Sequence, residues 1–200
     1  MRLLILGATG KTGAELVPQA LARGHAITAL VRSPDKLKTH ENLNIVQGDA
    51  TNGDDLARAL AGQEAVVSML GASSAAGAGI IEAGARATLE AMRRTGVRRL
   101  VIVSMALMFP NVGFMGPILR LFLRHYLRDT AAMEALVRPS DLDWTIVRPP
   151  RLTMKPGRGA YRISEAGPPS FSVARADLAR ALVDVVERRD EVRKIVAVAT

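Results

Sequence analysis

The chain has 200 residues, 48% of them hydrophobic, which bounds it to a single α/β domain with a full core. Lys and Arg outnumber Asp and Glu 27 to 19, a net charge of +8, yet only 4% of residues are aromatic, so stacking platforms are scarce and nucleic acid is a disfavoured partner. The lack of cysteine excludes disulfides and thiolate metal sites, the three histidines (His25, His40, His125) are scattered, and no apolar run is long enough to cross a bilayer.

Arg2-Leu3-Leu4-Ile5-Leu6 reads as a buried strand. Its start at residue 2 leaves no room for a signal peptide, which predicts a cytoplasmic protein. Gly7-Ala8-Thr9-Gly10-Lys11-Thr12-Gly13 follows, and Ala14 to Arg23 reads as an amphipathic helix. Strand, three glycines spaced three apart, then helix is the context of a pyrophosphate cradle. Gly7 allows the sharp turn, Gly10 leaves backbone open to the phosphates, and Gly13 lets the helix pack against the strand. The helix aims its free N–H groups and positive dipole end at the anion. We take Gly7, Thr9, Gly10, Lys11, Thr12 and Gly13 as cofactor-binding. Gly10-Lys11-Thr12 also resembles the end of a P-loop, but that motif needs a glycine where Ile5 stands, so the nucleoside-triphosphatase reading fails.

Ala26 to Val31 is the second predicted strand. A strand in this position ends in Asp or Glu when it holds the ribose 2′-hydroxyl of NAD. Here it runs into Arg32-Ser33, with no carboxylate before Asp35. A guanidinium fork suits a 2′-phosphate, and Ser33 and Lys11 add donors, so the pattern favours NADP(H). The alternative leaves Arg32 as a solvated charge.

Asn44 to Gln47 reads as strand three, ending at Gly48-Asp49; Gly53 to Ala61 as a helix capped by Asn52; Ala65 to Met69 as strand four; Ala78 to Thr95 as a helix closed by Gly96. Arg99 to Ser104 is strand five, Pro117 to Val137 one long helix, Asp143 to Val147 strand six, Ala174 to Arg188 a late helix and Lys194 to Ala199 a last strand. Arg93-Arg94 and Arg98-Arg99 flank a turn and read as solvated. Short apolar strands alternating with helices predict a Rossmann-type doubly wound parallel sheet in three α/β/α layers. Thr153 to Ser172, rich in Gly and Pro, reads as a small substrate-side flap with a short strand at Ala160 to Ile163.

Ligands of such sheets bind beyond the carboxyl ends of the strands. That rule selects Arg32-Ser33, Asp49-Ala50, Leu70-Gly71-Ala72-Ser73, Ser104-Met105-Ala106 and Pro149-Pro150-Arg151-Leu152. Asp49 either accepts from an adenine amino group or caps its turn. Gly71 permits close approach to the cofactor. Leu70, Pro149 and Pro150 complete the cofactor wall. Ser104, beside the expected nicotinamide, is the candidate catalytic group, its hydroxyl donating to a substrate oxygen or the carboxamide, or else capping the strand. Met105 and Arg151 are the candidate substrate contacts, Arg151 toward a carboxylate or phosphate. Met105 through Met115 is apolar and methionine-rich, by default core or dimer contact and alternatively a pocket for a flat ligand. Arg120, Arg124 and Arg128 share one helix face, read as its solvated side. Trp144 reads as core.

The chain resembles the atypical short-chain dehydrogenase/reductases, in their NAD(P)H-binding, NmrA-like branch, and within it the flavin reductase/biliverdin-IXβ reductase type. The markers are the glycine loop, Leu30-Val31-Arg32, Gly48-Asp49, Leu70-Gly71, Val103-Ser104, Asp143-Trp144 through Pro150, and Arg175-Ala176-Asp177. The resemblance implies a Rossmann fold and NADPH, and suggests hydride transfer to a flavin, quinone, tetrapyrrole or similar planar acceptor; the expected assembly is a monomer or homodimer. The Tyr-x-x-x-Lys pair of most of the superfamily is missing: Tyr126 is followed four later by Thr130, and Tyr161 by Glu165. That leaves a reductase drawing its proton from solvent, or a non-catalytic NADP(H)-binding redox sensor. Arg151 also stands where the flavin-reductase branch often has histidine.

Overall fold

Leu3 and Ile5 of the first strand face one side of the central sheet, Leu4 and Leu6 the other, and all four are fully buried. The computed structural model describes residues 1–71, 79–110 and 116–200. In chain order these form β1 (Arg2–Leu6), α1 (Gly13–Ala22), β2 (Ala26–Val31), β3 (Leu43–Gln47), α2 (Gly53–Leu60), β4 (Ala65–Ser68), α3 (Ile80–Thr95), β5 (Arg99–Val103), α4 (Gly116–Phe122), α5 (Arg124–Val137), β6 (Asp143–Val147), β7 (Arg151–Thr153), β8 (Arg162–Ser164), β9 (Ser172–Ala174), α6 (Arg175–Arg188) and β10 (Lys194–Ala199). The main sheet runs β3-β2-β1-β4-β5-β6-β10-β8, parallel except where β8 pairs with β10. β7 and β9 form a separate parallel pair.

Because the sheet is covered on both faces, its central strands β1, β4 and β5 are buried along nearly their whole length. Leu16, Val17 and Ala20 of α1 and Leu178, Leu182 and Val185 of α6 cover the face of Leu3 and Ile5. Leu56 and Leu60 of α2, Ala85 and Met92 of α3 and Met133 and Val137 of α5 cover the other. This is the single-domain Rossmann-type fold expected. Asn52 caps α2, its Oδ1 accepting from the Asp54 and Asp55 amides at 2.9 and 3.1 Å. Trp144 is buried, as expected of core.

The departures are local. The helix expected over Pro117 to Val137 is two helices, α4 and α5, interrupted at Leu123. The flap strand lies at Arg162–Ser164 rather than Ala160 to Ile163, set by its register with β10. Arg99 is not solvated: it is 1% exposed, its guanidinium donating to the carbonyls of Asp143 and Val185 and to Thr145 Oγ1. Burial, aided by the nearby Arg189 charge, pulls its pKa down to about 10. Arg120 also leaves the solvated stripe, donating to the carbonyls of Leu107 and Phe109 and tying α4 to the segment after β5. Ala72, Ser73, Ala78 and Met115, named from the sequence, lie outside the described residues, as does the rest of 111–115.

Candidate functional site

The chain reverses its sheet order between β1 and β4, the place where doubly wound sheets open a crevice. The glycine loop fills the end of β1 there. Gly7 turns with φ +86°, and a Cβ on it would stand 2.8 Å from the Met69 carbonyl of the neighbouring strand end. A Cβ on Gly13 would lie 2.3 Å from the Gly7 carbonyl, so only glycine lets α1 start this close to β1. Gly10 N donates to Gly7 O at 3.0 Å and Ala14 N to Gly10 O at 2.9 Å, which winds the loop into the helix. A Cβ on Gly10 meets only the Gly7 carbonyl, at 3.2 Å, and its outer side is exposed.

Over this loop lies a cavity of about 650 Å³. Of the residues chosen from the sequence, Gly7, Thr9, Gly10, Lys11, Thr12, Gly13, Leu70, Gly71, Ser104, Met105, Pro149 and Pro150 form its walls. Arg32, Ser33, Asp49 and Ala50 lie outside those walls, at the ends of β2 and β3 on the opposite side of β1 from Ser104. The candidate site therefore runs along the carboxyl edge of the sheet from β3 to β6. Arg32 is exposed and has no carboxylate within 4 Å among the described residues. Asp49 caps its turn: its Oδ1 accepts from the amide and hydroxyl of Thr51, both at 2.8 Å. Those two bonds hold the carboxyl below its ordinary range, and the Arg32 charge adds to them.

Among the lining residues not chosen as site residues from the sequence are the apolar Met69 and Val103 and the polar Tyr126 and Arg175. Arg175, the first residue of α6, donates from Nη1 to Thr12 Oγ1 at 2.8 Å, while its Nε is buried without an acceptor among the described residues. Only its place in the Arg175-Ala176-Asp177 marker pointed to it. Tyr126 of α5 reaches the wall beside Gly71, its hydroxyl 3.0 Å from where a Cβ there would stand. Burial, then the charge of Asp129 one turn along, raise its pKa above 10.0. No Lys stands four residues after it to mark it in the sequence.

Ser104 does not offer a free proton. Its hydroxyl donates to Glu134 Oε1 at 2.5 Å, and Glu134 also takes Arg148 Nε at 2.9 Å and Nη2 at 2.5 Å. Arg148 in turn lies over the Phe109 ring at 4.8 Å.

A second cavity, of about 590 Å³, adjoins the first and shares Met105, Pro149 and Pro150 with it. Its walls are mostly apolar: Ala106, Leu107, Leu119, Leu123, Pro168, Pro169 and Phe171, with Arg151 as their charged member. Met105 to Leu107, read by default as core or dimer contact, thus lie on a cavity.

The residues present fit a nicotinamide dinucleotide. The loop brings backbone where a diphosphate needs it, and an orphaned guanidinium donor and a lysine border it. A family model described as NAD(P)H-binding matches residues 7–189. The chain is 33% identical over 174 residues to an uncharacterized chloroplastic protein of Arabidopsis thaliana, covering 79% of this chain and 61% of that one. It thus spans less than two thirds of that relative's length. Among solved structures it superposes on ChuY, an anaerobilin reductase from Escherichia coli O157:H7, with a TM-score of 0.85 at 20% identity, covering 100% and 97% of the two chains. A short-chain dehydrogenase/reductase of Veillonella parvula, in complex with NADP, matches with a TM-score of 0.78 at 22% identity over 100% and 94%. At those identities the superpositions speak to fold alone. No described helix is long and apolar enough to cross a membrane.

Proposed function

The chain belongs to the NAD(P)H-binding family, and from that premise we propose that it is an NADPH-dependent reductase of a small planar acceptor, of flavin, quinone or tetrapyrrole type. The observation that carries the proposal is the shared wall: Met105, Pro149 and Pro150 belong both to the glycine-loop cavity and to the apolar cavity beside it. A flat apolar molecule in the second cavity lies next to a cofactor in the first, which is what hydride transfer between two rings requires.

Bound NADPH supplies the hydride; the chain does the rest. The glycine loop and Arg175 hold the diphosphate. Arg32 and Lys11, with Ser33, select the 2′-phosphate. Proline and methionine side chains exclude water at the junction of the two cavities. The Tyr126 phenol, kept protonated, holds the proton that the reduced acceptor takes up. Arg151 receives an acidic substituent at the rim. The segment from Thr153 to Ser172 acts as a substrate-side flap, with Pro168, Pro169 and Phe171 over the apolar cavity. The ChuY protein, described as an anaerobilin reductase, shares this fold.

The missing Tyr-x-x-x-Lys pair favours a second reading, a redox sensor that binds NADP(H) without turnover. NADPH oxidation measured with FMN, riboflavin, a quinone and biliverdin separates the two. Turnover with one acceptor, lost in Arg32→Ala, bears out the reductase. Tight NADPH binding with no turnover across that panel overturns it in favour of the sensor.

A further inference from the structure

We propose that Ser104 is a hydrogen-bond acceptor for the cofactor's carboxamide, its polarity set by the buried Glu134–Arg148 pair, so that the site selects its cofactor by the amide N–H₂ group of the nicotinamide. This rests on the NAD(P)H reading above. Glu134 is 3% exposed and is held by Arg148 on both carboxylate oxygens. A carboxylate paired in this way accepts and cannot donate. The 2.5 Å contact therefore fixes the Ser104 proton on the line to Glu134 Oε1. With its proton committed to Glu134, the hydroxyl of this cavity-lining serine has only its lone pairs left to offer a ligand.

The position of Ser104 makes that polarity useful. Ser104 follows β5, two strands from the glycine loop that follows β1. Two strand spacings place it about 10 Å from the diphosphate cradle, on the side of the cavity that joins the apolar one. A nicotinamide that reaches the end of β5 meets an acceptor there, and the carboxamide N–H₂ is the donor its ring carries. The neighbouring backbone is held by the same pair. Arg148 immediately precedes Pro149, its Nη1 donates to the Met108 carbonyl, and Ser104 N donates to Val147 O at 2.7 Å. The donor role assigned to Ser104 from sequence is thereby reversed. A serine that donates serves a substrate oxygen; this one serves an N–H.

The test is calorimetric binding, without acceptor, of three probes to wild type, Ser104→Ala and Glu134→Gln. The probes are NADP⁺, its 3-acetylpyridine analogue (which replaces the amide N–H₂ by methyl) and 2′-phospho-ADP-ribose (which lacks the ring). Wild type is expected to bind NADP⁺ about tenfold more tightly than the acetyl analogue, the effect of one hydrogen bond. Ser104→Ala should bind the two alike. Glu134→Gln, whose amide can donate to Ser104 and release its proton toward the cavity, should narrow the gap. Should Glu134→Gln fail to fold, Ser104→Ala decides alone. A wild type that does not distinguish the two coenzymes, or a Ser104→Ala that still does, overturns the proposal. The ring-free probe separates the two inferences. Its equal binding to all three proteins leaves the cradle standing whatever Ser104 does, and its failure to bind wild type overturns the cradle, and with it this proposal.

Discussion

Arg175 Nη1 lies 2.8 Å from Thr12 Oγ1, joining the first turn of α6 to the glycine loop 163 residues earlier. The Arg175 Nε is left buried without an acceptor among the described residues. Two residues on, the buried Asp177 accepts from the amides of Arg158 and Gly159, both at 2.9 Å. One helix end thus holds both the glycine loop and the segment between β7 and β8. Replacing Arg175 by Met removes a charge from the cavity and is expected to weaken NADPH binding about tenfold or more, as for a charge-assisted bond. The thermal midpoint is expected to move little. Calorimetry beside thermal melting checks both, and unchanged affinity removes Arg175 from the cradle.

The glycines of the loop make separable demands. Gly13→Ala puts a methyl 2.3 Å from the Gly7 carbonyl and is expected to destabilise the fold by about 2 kcal/mol. Gly10→Val meets only a 3.2 Å contact inside the protein but fills the open side of the loop. It is expected to abolish coenzyme binding while keeping most of the stability. Urea unfolding paired with NADPH titration distinguishes them, and a Gly10→Val protein of wild-type affinity refutes the cradle.

Arg32 stands exposed at the end of β2 beside Asp49. Arg32→Asp exchanges a phosphate fork for a carboxylate suited to a ribose hydroxyl. The ratio of NAD to NADP affinities is expected to rise at least tenfold, mostly through loss of NADP binding. An unchanged ratio shows that Arg32 does not read the 2′-phosphate.

Tyr126 carries the pH prediction for activity. Burial and the Asp129 charge raise its phenol above 10.0, so it is protonated across the neutral range. Turnover should therefore show no Tyr126 inflection below pH 10 and fall only above it. Tyr126→Phe should slow turnover about a hundredfold with little change in NADPH affinity. A variant of wild-type rate returns the proton to solvent.

A stability prediction follows from Asp184. Burial raises its carboxyl, but hydrogen bonds from Tyr161 and Arg23 and the Arg23 charge more than offset this, leaving it below 3.8. A carboxyl depressed by folding stabilises fully above its unfolded pKa, near 3.9, and that share is lost as pH falls through the folded value. Asp184→Asn should cost about 1 kcal/mol at pH 5 to 7, a modest figure because Arg23 is partly exposed. The gap from wild type should close on acidification below pH 4, read as urea midpoints. A gap that widens there contradicts the assignment.

Much of the molecule was legible in the residues themselves. The β1–loop–α1 unit, Asn52 as a cap and Trp144 as core depend on neighbours close in sequence, or on runs of apolar residues that only a two-sided sheet can bury. The exceptions have a common cause. Arg99 looks like a surface arginine until β6 and α6 supply three acceptors around it. The two-stranded β7–β9 pair joins segments whose sequences carry no shared signal.

The candidate site divides the same way. By itself the sequence determined which coenzyme family binds, because a diphosphate is gripped by consecutive backbone groups whose glycines are visible in order. Only the tertiary structure decided what surrounds that grip. Arg175 comes from α6, Tyr126 and Glu134 from α5, and Ser104 and Arg148 from the ends of β5 and β6, and a hydroxyl becomes donor or acceptor according to the group folded against it.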